Sequence, residues 1–265
     1  MNPPESPALD LNADLGEGVG GSPEALDDQL LRVVTSANVA CGGHAGDDVS
    51  MARVCRLAAE RGVAIGAQVS YVDREGFGRV RLDVRRDRLE DQLVEQIETL
   101  RGHARHAGSD VAYVKPHGAL YNAAADDPDV ARAVVGAVVR DAETTGALLP
   151  LLTLPGCVLA RTAEQAGVPV AGEAFADRGY TALGRLVPRG EPGALVTDPD
   201  AVVARVLRLV TQGVLVAVDG TVVPVRAASV CVHSDTPGAA TTAAALRHAL
   251  EDADVRVHPF VQDAR

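Results

Sequence analysis

Several residue types that would point to common functions are scarce or absent in this sequence. It has no tryptophan, three phenylalanines, four tyrosines, and a single lysine, Lys115, among its 25 lysine and arginine residues. The formal net charge of −11, without a basic stripe, argues against nucleic-acid binding because phosphate backbones repel an acidic surface. No apolar run approaches the length of a membrane span, so no membrane association is expected.

Missing motifs narrow the possibilities further. The cysteines Cys41, Cys55, Cys157 and Cys231 form no C-x-x-C pair, which argues against a zinc ribbon or a thioredoxin site and predicts buried free thiols. The Pro-rich, acidic segment Met1 to Asp10 lacks the basic and apolar regions of a signal peptide, so a cytoplasmic location is expected. The chain has no phosphate-binding loop and no dinucleotide-binding glycine motif.

Short apolar segments alternate with longer amphipathic ones along the chain. Strands are predicted at 8–11, 33–40, 63–67, 111–114, 148–154, 168–173 and 229–233, with helices between most of them and a hairpin around Asp219-Gly220. This alternation indicates a mainly parallel α/β sheet, and seven or eight units favour a closed (β/α) barrel over an open doubly wound sheet. A single domain over residues 1–265 is expected, with an irregular excursion from the barrel rim at about 175–197.

The scarce polar and aromatic residues cluster after the predicted strands, where the active site of a parallel barrel lies. The alternation at the first strand places Asp10, Asn12 and Asp14 on one face, either to orient water, substrate or a cation or to act as turn and capping residues. The other candidates follow later strands: Asn38, His44, Gln68, Lys115, His117, Tyr121, Glu173, Asp177, Arg178, His233 and Asp235.

Lys115 and His117 are the leading candidates for chemistry. Carboxylates near a partly desolvated lysine hold it as a cation, so Lys115 is predicted to bind a substrate carboxylate or to stabilise an oxyanion. His117, or His44, is predicted to act as general acid or base, and Asp14 to take part in catalysis. Asp10, His44 and His117 are candidate metal ligands, although no compact ligand motif is present.

Structural roles are open for some of the substrate-binding candidates. His233 could be a rim histidine whose hydrogen bonds are satisfied within the protein. Glu173 and Asp177 could pair with Arg178 or Arg189 in a surface network of ion pairs.

Seven segments occur in an order and spacing that resemble one protein family. They are Leu9 to Glu17, Thr35 to Gly42, His44 to Asp47, Asp73 to Arg79, Lys115 to Asn122, Glu173 to Arg178, and Leu186 to Arg189. Together they resemble the lactam-utilisation family, the A subunits of bacterial ATP-dependent 5-oxoprolinase, over nearly the whole chain.

The resemblance implies a barrel like those of glycoside hydrolases and deacetylases, usually seven-stranded. It also implies hydrolysis of 5-oxoproline to glutamate at the expense of ATP, together with B and C subunits as partners. Because an unstrained five-membered lactam is a poor electrophile, phosphorylation of its oxygen would activate it. ATP handling in the partners would account for the missing phosphate-binding loop, while a divalent metal and a homo-oligomer are open possibilities.

Departures from the family pattern keep two other hypotheses open. The family usually has Phe at the position of Gly43, His-Pro at Gln68-Val69, Pro at Val72 and Gly at Ser234. Glutamine cannot titrate and is a poor metal ligand, so one alternative is a non-catalytic binding subunit. The set of Asp and His residues suggests the other, a stand-alone metal-dependent deacetylase or amidase on the same fold.

Overall fold

The structure, a computed structural model, describes residues 7–236 and 238–261. Residues 1–6, which carry most of the evidence for the predicted location, lie outside this range. The strands are β1 (Ala8–Leu15), β2 (Ser36–Ala40), β3 (Ala64–Val69), β4 (Val111–Pro116), β5 (Leu151–Thr153), β6 (Val170–Phe175), β7 (Val214–Val216), β8 (Val222–Pro224), β9 (Ser229–Val232) and β10 (Arg256–Val257).

Seven of these strands close into a parallel barrel. Each strand from β1 to β5 pairs with the next one in the chain, β6 pairs with β9, and β9 pairs with β1. The β7–β8 hairpin, predicted from Asp219-Gly220, lies outside the barrel, and β10 extends the sheet beside the first two residues of β1. The predicted (β/α) barrel is therefore confirmed, with seven strands.

The helices surround the barrel. They are α1 (Pro23–Leu31), α2 (Asp48–Arg61), α3 (Arg86–His106), α4 (Gly118–Asp126), α5 (Pro128–Thr145), α6 (Val158–Gln165), α7 (Pro199–Gln212) and α8 (Ala239–Asp252). The apolar stripe of α3 is buried, and its residues Leu93, Ile97 and Leu100 are fully inaccessible to solvent. Burial of such stripes between helices and strands forms the main hydrophobic core.

Local sequence signals account for several helix ends. Asp47 caps α2 by accepting from the backbone N–H of Ser50, and Asp127 and Asp198 cap α5 and α7 in the same manner, each directly before proline. Gly62 ends α2 in the left-handed conformation. Ser22 precedes α1, but its side chain makes no capping hydrogen bond.

Two departures from the predicted pattern affect the site. The alanine-rich α4 occupies a region predicted as loop, and it begins directly after His117. β1, β3 and β4 also extend beyond their predicted carboxyl ends, to Leu15, Val69 and Pro116. Asp14, Gln68 and Lys115 therefore belong to strands, not to the loops after them.

The segment after β6 folds back over the rim. Isolated bridges join Arg178 to Leu195 and Tyr180 to Leu186. The buried Arg178 guanidinium holds the segment together by donating from Nε to the carbonyl of Ala194 at 3.1 Å and from Nη2 to that of Val187 at 2.7 Å. The four cysteines are buried and unpaired, as predicted. No helix in the described ranges combines the length and apolarity needed to cross a bilayer.

Candidate active site

The carboxyl ends of the barrel strands surround a cavity of about 470 Å³. The predicted residues that line it are Asp14, Lys115, His117, Tyr121, Arg178 and His233. A larger cavity of about 990 Å³ opens at the amino ends, and none of the described residues lining it is a predicted site residue. Because barrel enzymes carry their catalytic groups at the carboxyl ends of the strands, the smaller cavity is the candidate active site.

Lys115 lies at the floor of this cavity within a shell of acceptors. Its Nζ is 2.7 Å from Oε1 of Glu173 and 3.2 Å from Oδ1 of Asp14. It also donates to Oδ1 of Asn12 at 3.3 Å and to Sγ of Cys231 at 3.2 Å. The protein thus engages all three N–H groups of the ammonium ion, and a substrate oxygen has to replace one of these contacts.

The neighbouring carboxylates keep Lys115 protonated. Burial by itself lowers the pKa of Lys115, but Asp14 and Glu173 outweigh it and hold the pKa well above its usual value. Burial raises the pKa of Glu173, and Lys115 reduces this shift without reversing it. Burial is also the largest influence on Asp14, yet Lys115 and nearby histidines outweigh it and lower its pKa. Lys115 is therefore a fixed cation and not an amine nucleophile.

The asparagines predicted to bind substrate support the floor from below. Nδ2 of Asn38 donates to Oδ1 of Asp14 at 2.8 Å and to Oδ1 of Asn12 at 2.7 Å. The Tyr113 hydroxyl donates to Oδ1 of Asn38 at 2.7 Å. Asn12 and Asn38 are fully buried, and their hydrogen bonds fix the orientation of Asp14.

Asp10 lies deeper in the barrel, below Asn12 and Asp14 on the same face of β1. Its carboxylate accepts hydrogen bonds from the hydroxyls of Thr35 and Ser36, each at 2.6 Å, and from that of Ser229. Burial raises the pKa of Asp10 to about 6, although the three hydroxyls oppose the shift. These three hydrogen bonds explain how the Asp10 carboxyl group can be buried without a bound metal or substrate.

A second cluster lies beside the floor, where the rings of His44 and His117 stack with centroids 3.7 Å apart. Oε1 of Glu17 is 3.1 Å from Nε2 of His44 and 3.4 Å from Nδ1 of His117. The buried Gln68 donates from Nε2 to Oε1 of Glu17 and to Nδ1 of His117, both at 3.0 Å. Gln68 thus links the carboxyl group of Glu17 to the imidazole of His117 through hydrogen bonds, and it does not have to gain or lose a proton to do so.

Hydrogen-bond partners indicate how this cluster is protonated. Nε2 of His117 donates to a main-chain carbonyl at 3.1 Å, so its Nδ1 is the acceptor for Gln68. Burial lowers the pKa values of His44 and His117 to about 4. Burial, followed by the charge of Asp14, raises the pKa of Glu17 to about 7. Near neutral pH the two imidazoles are therefore neutral, and Glu17 is the member that exchanges protons.

His233 forms a third group with a different electrostatic setting. Its Nδ1 is 2.7 Å from Oδ1 of Asp177, and Thr236 donates to Oδ2 of Asp177 at 2.6 Å. Phe175 stacks on the imidazole, with centroids 5.1 Å apart. Burial by itself lowers the pKa of His233, but Asp177 outweighs it and raises the pKa above its usual value. With Nδ1 held by Asp177, Nε2 is the nitrogen that can exchange a proton with a ligand.

Arginines form the upper wall of the cavity. Arg79 and Arg189 both pair with Asp235, which explains the position of that predicted residue at the rim. Arg185 pairs with Asp126 at 3.0 Å. Asp235 therefore contacts guanidinium groups of the wall and not the floor.

Two sets of potential metal ligands converge within the described ranges: Asp14, Cys231 and His233, and Glu17, His44 and His117. In the first set, Nζ of Lys115 is 3.2 Å from both Asp14 and Cys231 and repels a second cation. The second set offers one carboxylate and two neutral imidazoles, which are suitable ligands for a divalent transition metal. This set fits such an ion only if the side-chain amide of Gln68 rotates. At present Nε2 of Gln68 directs its N–H groups at Glu17 and His117, two of the three ligands. Asp10 belongs to neither set.

Glu17 is the main site residue that the sequence reasoning missed. Gly16 adopts a φ of +72°, which lets the chain turn directly after β1 and return Glu17 to the barrel mouth. The signal was the glycine between Leu15 and Glu17, just beyond an alternating polar strand. Ser70, which is 3.1 Å from Nδ1 of His44, was missed as well.

Gly43 has a steric explanation. A Cβ at this position would lie 2.3 Å from Oγ of Ser70 and 2.5 Å from Oε1 of Gln96. Gln96 accepts from the backbone N–H of Ser70 at 2.9 Å, so these side chains are fixed against each other. Neighbouring side chains therefore fill the space that a Phe would need.

Comparison with known proteins identifies relatives over nearly the full length. Residues 9–265 match the LamB/YcsF family. A protein of Streptomyces coelicolor, named as the A subunit of 5-oxoprolinase, is 57% identical over 252 residues, covering 95% of this chain and 99% of the relative. A protein of the same name from Cutibacterium acnes is 50% identical, covering 94% and 97%. The crystal structure of a lactam utilization protein from Thermus thermophilus superposes with a TM-score of 0.87 at 40% identity, covering 95% and 99%.

Proposed function

This chain belongs to the LamB/YcsF family, and we propose that it serves as the A subunit of an ATP-dependent 5-oxoprolinase. In this proposal it opens the lactam ring of 5-oxo-L-proline to give L-glutamate, and the B and C subunits take part in the use of ATP. The observation that carries the proposal is the 57% identity, over nearly the whole length of both chains, to a protein named as the A subunit of 5-oxoprolinase. Four unpaired cysteines support a cytoplasmic location.

Ring opening needs a water molecule that attacks the lactam carbon and a proton for the departing ring nitrogen. His233 is the best placed group for proton transfer, because Asp177 orients it and its pKa lies above that of an ordinary histidine. His117 lines the cavity too, but both of its ring nitrogens are engaged and its pKa is about 4. His44 supports His117 by stacking.

Lys115 supplies positive charge where negative charge develops. When the lactam oxygen becomes an oxyanion, Lys115 can exchange its 3.3 Å contact to Asn12 for that oxygen while keeping Asp14 and Glu173. In an ATP-dependent route with the partner subunits, that oxygen would instead carry a phosphoryl group from ATP, which makes the ring carbon a better electrophile. Water addition and departure of the protonated ring nitrogen would then leave an acyl phosphate, which a second water molecule hydrolyses to L-glutamate and inorganic phosphate. Asp14, held ionised by Lys115, is placed to orient the attacking water.

The test is glutamate formation from 5-oxo-L-proline and ATP by this chain assembled with its cognate B and C subunits. We expect turnover that requires all three subunits, and its absence with correctly assembled subunits refutes the proposal. Lys115→Ala and His233→Ala address the role of this chain in the assembly, because charge stabilisation and proton transfer are assigned to these two residues, and thermal unfolding checks that both variants fold. If both leave turnover intact, the chain has a binding role only and catalysis lies elsewhere in the complex.

A second candidate function is a stand-alone metal-dependent deacetylase or amidase, favoured by the convergence of Glu17, His44 and His117. A bound divalent ion there would act as a Lewis acid. Oε1 of Gln68 has no hydrogen-bond partner among the described residues, so rotation of the amide would bring an unused oxygen toward the ion. Elemental analysis of the purified chain and hydrolysis assays with and without chelator test this function. A metal-free chain with unchanged activity excludes it.

A further inference from the structure

The wall of the candidate active site carries more positive charge than the protein neutralises. Arg79, Arg178 and Arg189 line the cavity, in a chain whose net charge is −11. Arg79 and Arg189 share a single carboxylate, that of Asp235. Three guanidinium groups therefore meet one carboxylate, and the local charge of the wall opposes that of the whole molecule.

Arg178 is the most informative of the three. It is only 6% exposed, and its hydrogen bonds in the described part of the chain go to two main-chain carbonyls. No described carboxylate lies within ion-pair distance of it, since Asp177 pairs with His233. Burial, followed by the nearby Arg189, lowers the pKa of Arg178, so the surrounding carboxylates do not compensate for its burial. A buried guanidinium without a counter-ion is unfavourable unless an anion joins it.

The floor of the cavity is less suited than the wall to bind an anionic group. The ammonium group of Lys115 already contacts two carboxylates, Asp14 and Glu173, besides the side-chain oxygen of Asn12. An anionic ligand at the floor would add a third negative charge next to this pair. The wall, in contrast, has one carboxylate, that of Asp235, for three guanidinium groups, and these planar groups are suited to the paired oxygens of a carboxylate or phosphoryl group.

We propose that Arg178, Arg189 and Arg79 form a subsite for an oxyanionic group, with Asp235 as the internal counter-ion that the ligand partly replaces. This inference rests on the proposed function for its two possible ligands. The group is either the carboxylate of the 5-oxoproline ring or a phosphoryl group carried by an activated lactam. Lys115 then stabilises the negative charge that develops on the lactam oxygen, and the arginines of the wall bind the anionic group of the ligand.

Titration calorimetry on the purified full-length chain, at fixed ionic strength and without ATP or partner subunits, tests the subsite. The probes are inorganic phosphate, 5-oxo-L-proline and 2-pyrrolidinone, which has the same ring without the carboxylate. Arg189→Gln and Arg79→Gln should weaken binding of at least one anionic probe about tenfold or more. Arg132→Gln, which removes an exposed pair with Asp129, is the matched control and should change nothing.

The pattern of losses identifies the ligand group. Loss of phosphate binding points to a phosphoryl group, and loss of 5-oxo-L-proline binding, with no binding of 2-pyrrolidinone, points to the carboxylate. Arg178→Lys keeps the charge but removes the fork, so it should weaken the same probe. Because Arg178 also holds the rim segment, thermal unfolding checks that this variant folds, and the other two variants decide the question if it does not.

Three results overturn the subsite. The first is that neither anion binds the wild-type chain at concentrations below about 10 mM. The second is that the arginine variants bind the anions as tightly as the control variant does. The third is that the chain binds 5-oxo-L-proline and 2-pyrrolidinone with equal affinity and does not bind phosphate. Since these measurements need no turnover, their failure is separable from that of the proposed function. If the chain binds anions at the arginines but the assembled complex has no 5-oxoprolinase activity, the subsite is supported and the proposed function is refuted. If the complex is active but the arginine substitutions do not change anion binding, the function is supported and the subsite is refuted.

Discussion

Replacing Lys115 by methionine is expected to destabilise the protein strongly, because it leaves two buried carboxylates without their counter-ion. Glu173 is fully buried and Asp14 is 5% exposed, and both contact Nζ of Lys115. Methionine fills a similar volume, so the loss of charge is the main change. Breaking a buried ion pair from one side costs about 3–5 kcal/mol, and we expect a loss of unfolding free energy in that range at pH 7.

The pH dependence of the stability provides a second, independent test of the same ion pairs. Without Lys115, the already raised pKa of Glu173 rises further, and Asp14 loses the charge that most lowers its pKa, so that burial, the largest influence on both groups, raises their pKa values relative to the wild type. Groups with raised folded-state pKa values contribute stability at low pH and lose it as the pH rises through those values. The difference in stability between wild type and Lys115→Met should therefore shrink as the pH falls from 7 to 5.

Urea unfolding at both pH values measures these effects, with the m-value as a check on two-state behaviour. Arg132→Met is the control, because its exposed pair with Asp129 should contribute no more than about 1 kcal/mol. The double variant Lys115→Met/Glu173→Gln should recover part of the loss, since only one unpaired carboxylate is left. A loss below about 1 kcal/mol at pH 7, or a loss that grows on acidification, refutes the reasoning.

Three further predictions concern the candidate site. In the proposed complex with the B and C subunits, His233→Asn should lower kcat by about 10²–10⁴-fold. Asp177→Asn should lower the pKa of His233 in an NMR titration. An unchanged kcat and an unchanged pKa would show that this pair only supports the structure. Gly43→Ala should destabilise the chain by about 1–3 kcal/mol in urea unfolding because its Cβ meets fixed side chains, and wild-type stability would contradict the packing described. His44 and His117 should keep the ring-nitrogen NMR shifts of neutral imidazoles from pH 8 to about 5, since their folded-state pKa values are about 4, while protonation of the neighbouring Glu17 near pH 7 changes only their surroundings. Because the unfolded residues bind protons near pH 6.5, both lower the stability as the pH falls below that value. Imidazolium shifts of either ring near pH 6.5 would disprove their burial as neutral rings.

The barrel could be predicted because periodicity and capping are local properties of the sequence. Amphipathic stripes, Asp-Pro caps and terminal glycines define where helices lie, and their alternation with short apolar segments leaves few topologies. The missed α4 shows the limit of this reasoning. Its alanine-rich sequence favours a helix, but the polar residues from Lys115 to Asn122 also match the pattern of a functional loop.

Strand length decided which site residues were placed correctly. β1 runs to Leu15, so Asp10, Asn12 and Asp14 occupy three successive levels inside the barrel, and only Asp14 lines the cavity. The pairing of Glu17 with His44 depends on the turn at Gly16, which no periodicity reveals. Contacts such as Lys115 with Glu173 follow from strand register across the closed barrel, and register is a property of the whole fold.

The buried carboxylate of Asp10 has a consequence for how the chain is completed. Its three hydroxyl partners come from both sides of β1. Thr35 lies directly before β2 and Ser36 is the first residue of β2, while Ser229 belongs to the last strand of the barrel. During synthesis, Asp10 leaves the ribosome more than two hundred residues ahead of Ser229. The seam between the first and last barrel strands can therefore close only after almost the entire chain has been made. Until then the Asp10 carboxylate at the open edge has its hydroxyl partners from Thr35 and Ser36 but lacks the one from Ser229.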